Sequence, residues 1–85
     1  MNNTIMRKIE VVAEYQPLTA KAREVASVEI STPPTNVDVV YFLGDDGSDV
    51  PWLPGEFHVF ERVNLAEIKV KGTAGDIVTV IGGTW

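Results

Sequence analysis

Between residues 53 and 81 the chain is cut by turn formers into apolar runs of strand length. Leu53-Pro54-Gly55-Glu56 precedes the first run, Asn64 the second, and Gly72-Thr73-Ala74-Gly75 separates the second from Asp76-Ile77-Val78-Thr79-Val80-Ile81. This half therefore reads as three consecutive short strands, because Pro and Gly set turns and β-branched residues favour the pleat. Residues 57–63 form the first strand. In 67–71 Ile68 and Val70 point inward and Lys69 and Lys71 outward, and 72–75 reads as a tight hairpin into a strand over 76–81.

The same rhythm holds upstream. Residues 4–13 carry Ile5, Ile9, Val11 and Val12 in an extended-type run that ends at Pro17, which offers the ladder no N–H. Residues 24–31 alternate, with Ala26, Val28 and Ile30 on one face and Ser27, Glu29 and Ser31 on the other, as a half-buried strand does. The turn Thr32-Pro33-Pro34-Thr35-Asn36 follows. Residues 37–43 are then apolar on both faces except at Asp38, which suits a strand inside a sandwich or beneath a partner subunit. Residues 44–49 are Asp/Gly loop chemistry, and only residues 18–25 admit a helical turn. Six to eight short strands at intervals of about 8 to 15 residues predict an all-β fold, a small antiparallel β-sandwich or jelly-roll-like barrel, rather than βαβ units. Residues 1–85 read as a single domain, in which residues 1–20 could serve as an N-terminal arm or swapped strand.

A chain of 85 residues buries only about 60 to 65% of the surface it exposes when unfolded, so its core is small. With no cysteine and a single histidine, neither a disulfide nor a thiolate metal site can reinforce it, and self-association is the remaining means. Twelve acidic against seven basic residues give a net charge of -5, the wrong sign for gripping phosphate, so nucleic acid is not expected as a partner. The first residues lack the apolar core of a secretory signal, and no window approaches the roughly 18 apolar residues of a membrane span; a soluble protein made in a cytoplasm, without a membrane partner, is expected.

No spacing singles out chemistry. Asp45, Asp46, Asp49 and Glu56 supply clustered oxygens of the type Ca²⁺ takes, but they miss the D-x-D-x-D-G pattern and read as turn carboxylates. His58, between Phe57 and Val59, has no nucleophile or orienting acid singled out beside it and reads as a packed or surface histidine. No carboxylate pair stands apart and no cofactor motif occurs, so no enzyme, no catalytic residue, no metal and no cofactor is expected. Trp52, Trp85, Tyr41, Phe42, Phe57 and Phe60 would suit a sugar-stacking platform, yet aromatic side chains more commonly fill cores and subunit interfaces.

The order Val50-Pro51-Trp52-Leu53-Pro54-Gly55-Glu56, then Asn64-Leu65-Ala66-Glu67-Ile68-Lys69-Val70-Lys71-Gly72, then Thr73-Ala74-Gly75-Asp76-Ile77-Val78-Thr79-Val80 resembles a pattern of small structural proteins of tailed bacteriophages, the β-sandwich decoration or head-fibre-type proteins of the virion. The resemblance covers residues 37–85 and leaves residues 1–36 unmatched. It implies a virion protein that binds the assembled shell, with the major capsid protein or another virion protein as partner, and it transfers no catalytic residue. Shells offer threefold and quasi-threefold sites, so a homotrimer is expected. Its interface is expected at Val40, Phe42, Trp52 and Trp85, with Trp52 and Trp85 exposed in the monomer. A tail or baseplate component is the nearest alternative. A carbohydrate-binding or adhesion module is the alternative of a different class.

Overall fold

The computed structural model describes residues 4–83. Eight strands run in the order β1 (Thr4–Glu10), β2 (Gln16–Pro17), β3 (Glu24–Ser31), β4 (Val40–Leu43), β5 (Asp49–Trp52), β6 (Phe57–Asn64), β7 (Lys69–Lys71) and β8 (Ile77–Gly83). They form two antiparallel four-stranded sheets, β1-β8-β3-β6 (sheet A) and β2-β7-β4-β5 (sheet B). This is a small β-sandwich. Ile5, Val28, Ile30, Val78 and Val80 of sheet A meet Val40, Phe42, Trp52 and Val70 of sheet B in one core that also takes in Val11, Leu18 and Leu65. Residues 4–18 are thus built into the sandwich, through the β1–β8 ladder and the burial of Ile5, Val11 and Leu18.

Strand β3 has the bounds its alternation predicts, but of its three buried positions, Val25, Val28 and Ile30, the first two lie three residues apart. The cause lies across the ladder. Arg62 adopts a left-handed φ of 54°, and on either side of it Phe60 and Val63 both pack against the core. Such a residue reverses the two-residue alternation of both strands, at a cost of about 1 kcal/mol or more in backbone strain.

Four sequence expectations change. Residues 37–39 precede β4 instead of belonging to it, and Val37 is exposed. Residues 18–23 hold no helix; the single helical turn is a 3-10 turn at Leu65–Glu67, where Asn64 caps the N–H of Ala66 and also binds the N–H of Arg23. Beyond the loop at residues 44–49 the chain forms a strand that the sequence did not mark, β5, which contains Pro51, tolerated on an edge strand. Residues 72–75 do not close a hairpin. β7 and β8 lie in different sheets, and Gly72 to Asp76 carry the chain from one to the other. Asp76, buried at 4% exposure, holds this crossing by accepting the N–H groups of Val37 and Asp38, each at 2.9 Å.

The Leu53-Pro54-Gly55-Glu56 turn forms as expected. The Glu56 N–H bonds the Leu53 carbonyl at 3.0 Å, and Gly55 takes φ 88°, the third-position geometry of a type II turn that a side chain would strain. Buried Thr32 ties the turn down by donating its hydroxyl to the Leu53 carbonyl at 2.7 Å.

All four sheet edges carry a device against strand addition. Pro17 and Pro51 interrupt the edges of sheet B. In sheet A, Arg7 on β1 stands in register with buried Val80 while itself exposed at the margin of the sheet, and Arg62 interrupts the extended backbone of β6 with its left-handed φ. Prolines, edge charges and breaks in the extended backbone each discourage edge-to-edge pairing.

Candidate functional site

Val40, Phe42 and Trp52, expected at an interface, are 0%, 6% and 5% exposed. The β4–β5 register explains this: Val40 opposes Trp52 and Phe42 opposes Val50, so Trp52 sits in a strand facing sheet A instead of in a loop. Its ring stacks on Phe42 with centroids 3.7 Å apart, lies parallel to Phe60 at 6.3 Å, and meets His58 edge-on at 4.7 Å. These side chains fill the space between the sheets, so they are unavailable to a second subunit while the domain is folded. Trp85 lies outside the described residues.

The loop carboxylates are engaged locally. Asp46 accepts the hydroxyl and N–H of Ser48, which hold its carboxyl below the usual range. Glu56 takes the Leu53 N–H at 3.0 Å and pairs with the half-exposed His58 at 2.7 Å; the His58 bond, then the Leu53 bond, lowers its pKa. Asp49 accepts the Tyr15 hydroxyl and lies 3.6 Å from the Lys71 ammonium, which itself stands 4.7 Å over the Tyr15 ring. The Tyr15 bond first, and Lys71 second, lowers the Asp49 pKa; desolvation first, and Asp49 second, pushes Tyr15 up to about 12. These are ties between β5, β7 and the 11–15 segment rather than a convergent acid–base set. Among the described residues no group of three or more His, Asp or Glu could hold a metal ion, and no helix is long and apolar enough to cross a membrane.

Among the described residues, three open surfaces stand out. On the outer face of sheet A the register aligns Met6, Ile81, Glu29 and Val59 across all four strands, and Phe57 lies in the next row beyond Ser31. Met6, Ile81, Val59 and Phe57 are 70%, 50%, 65% and 59% exposed. An exposed apolar row across a whole sheet is a contact surface in the making. Sequence reasoning missed it because it comes from four strands far apart in the chain. The second surface is a cleft of about 210 Å³ on sheet B, between Asp38, Tyr41, Lys71 and Thr73. The third is a groove of about 570 Å³ beside the strained Arg62, flanked by Glu24 and Glu67.

No family model matches the chain, and neither a curated protein nor a solved structure matches it.

Proposed function

We propose that the chain is a bacteriophage virion structural protein, a capsid decoration or cement protein without catalytic activity, which binds the assembled shell through the outer face of sheet A and gathers there as a homotrimer. The observation that carries the reading is the exposed row of Met6, Ile81 and Val59, with Phe57 beside it, on a domain whose four sheet edges all resist strand pairing. Association by a face, not an edge, is what such a surface favours.

The chemistry of the face selects its partner. Glu29 lies within the apolar row and Glu61 in the row of Ser27 and Gly83, on a chain of net charge -5. Lys8, in the row of Thr79, Ser31 and Phe57, is the cation set against these carboxylates, and the acidic balance of the chain favours a shell surface with Lys or Arg around an apolar patch. Affinity accumulates from area multiplied by copy number, with no turnover.

Co-sedimentation with particles lacking the protein tests this. Val59→Asp and Ile81→Asp should abolish binding while the domain stays folded, because both positions face solvent, and Lys69→Ala should bind as the parent does. Particle binding unchanged by both face substitutions would sink the reading.

A further inference from the structure

The outer face of sheet B carries a second surface, independent of the sheet A row. We propose that the cleft at Tyr41 binds one pyranose ring of an uncharged saccharide.

Tyr41 occupies a central strand, held between Pro51 on β5 and Lys71 on β7, and 37% of it is open to solvent. An aromatic ring so placed offers its negative face to the weakly positive C–H face of a sugar. The polar groups around it are already oriented. The Asp38 carboxylate accepts the Val39 N–H at 2.7 Å through one oxygen and the Thr73 hydroxyl at 3.3 Å through the other, so each oxygen keeps a lone pair for a ligand hydroxyl. Thr73, having donated its proton, keeps its acceptor sites. Lys71 is fixed by Asp49 and the Tyr15 ring, and one of its three N–H groups suffices for that ion pair. The cleft is thus walled by the Asp38 carboxylate and the Thr73 hydroxyl, with the Lys71 side chain alongside, within about 210 Å³, room for a single ring.

The same set excludes other classes. Asp38 and Lys71 stand on opposite sides of the charge balance, and Lys71 is already paired with Asp49, so the cleft offers no net charge to hold an anion or a cation. A neutral molecule with hydroxyls along its edge and one apolar face remains, which is a hexopyranose. Open, shallow sites of this kind bind weakly, so a Kd of about 1 to 10 mM is expected.

The test is an amide ¹H–¹⁵N titration of the full chain with glucose, galactose and N-acetylglucosamine, each to about 50 mM, with glycerol as the control polyol. The expected result is saturable shifts at Asp38, Tyr41, Lys71, Gly72 and Thr73 with at least one sugar. Asp38→Asn and Tyr41→Ala should each weaken binding about tenfold or more while the rest of the spectrum stays dispersed, and Lys69→Ala should leave it unchanged. The proposal is overturned by the absence of saturable shifts with all three sugars, by shifts that glycerol reproduces, or by sugar shifts that persist in both cleft variants. Because the sheet A row is not involved, Val59→Asp should bind the sugar normally even where it no longer binds particles.

Discussion

Replacing Asp76 by Ala removes the buried carboxylate at the crossing from β7 to β8. Two donors lose their acceptor, the N–H groups of Val37 and Asp38, each held at 2.9 Å. The backbone bonds of Asp76 itself, from the Val11 N–H and to the Thr73 carbonyl, survive the change. A buried donor left unpaired costs about 1–3 kcal/mol. Val37 is 86% exposed, so water can reach part of this segment and the lower half of the range applies, about 2–4 kcal/mol in total. A domain of this size has a stability of about 4–13 kcal/mol, and each kcal/mol lost lowers Tm by about 4–8 °C, so a drop of at least about 8 °C is expected. Urea unfolding monitored by the fluorescence of buried Trp52 would show a midpoint at least about 2 M lower, since m is about 1 kcal/mol/M for so small a domain. Asp76→Asn, which keeps one acceptor oxygen, should fall between parent and Ala variant. A variant within about 0.5 kcal/mol of the parent would refute the role given to Asp76 as the clasp of the inter-sheet crossing.

Further outcomes follow from other positions. Gly82→Ala would place a Cβ 2.3 Å from the Ser27 carbonyl oxygen and 2.8 Å from the Val28 Cα, both backbone, so the variant should lose the β3–β8 ladder and the dispersed spectrum of a folded domain; a folded, parent-like variant contradicts that packing. Trp52→Ala removes the ring stacked on Phe42 and should cost about 3–5 kcal/mol in chemical denaturation, whereas a loss of association with unchanged stability would return Trp52 to the surface. Of the two tyrosines, Tyr15 should ionise near pH 12 in an absorbance titration, and Asp49→Asn should bring it down. Its folded pKa lies above the unfolded value near 10, so this contribution to stability is complete below about pH 10 and disappears as pH rises toward 12. The lowered carboxyls of Asp46, Asp49 and Glu56 act at the other end: their contribution is present above the unfolded values near 4 and is lost as pH falls through the lower folded ones.

The all-β fold was legible because the breakers are local and strong. Pro54 and Gly55 dictate a turn by their own backbone preferences, and the alternation of residues 24–31 marks β3 to the residue. What sequence could not supply depends on which sheet a strand joins. A short Gly-containing connection reads the same whether it turns within a sheet or crosses between two, and the burial of Asp76 appears only once the crossing is built. Residues 37–43 looked apolar on both faces, and the missing partner β5 decided which face is the core: Val40 and Phe42 point in, while Tyr41 and Leu43 remain partly open. The left-handed Arg62 had no signal, since arginine has no preference for positive φ. Neither candidate surface lies in a motif. The Met6, Ile81 and Val59 row joins three strands, and the Tyr41 cleft joins the segments around residues 38, 41 and 71–73. Each is a product of register.

A cryo-electron-microscopy map of the intact particle tests the central claim most directly. The account predicts clusters of three sandwiches on the shell, each with Met6, Ile81, Val59 and Phe57 turned toward the capsid protein and its sheet B outer face open to solvent. Sandwiches attached by sheet B or by a strand edge, with the Met6–Val59 row left in solvent, would contradict it, as would particles that carry no copy of the protein.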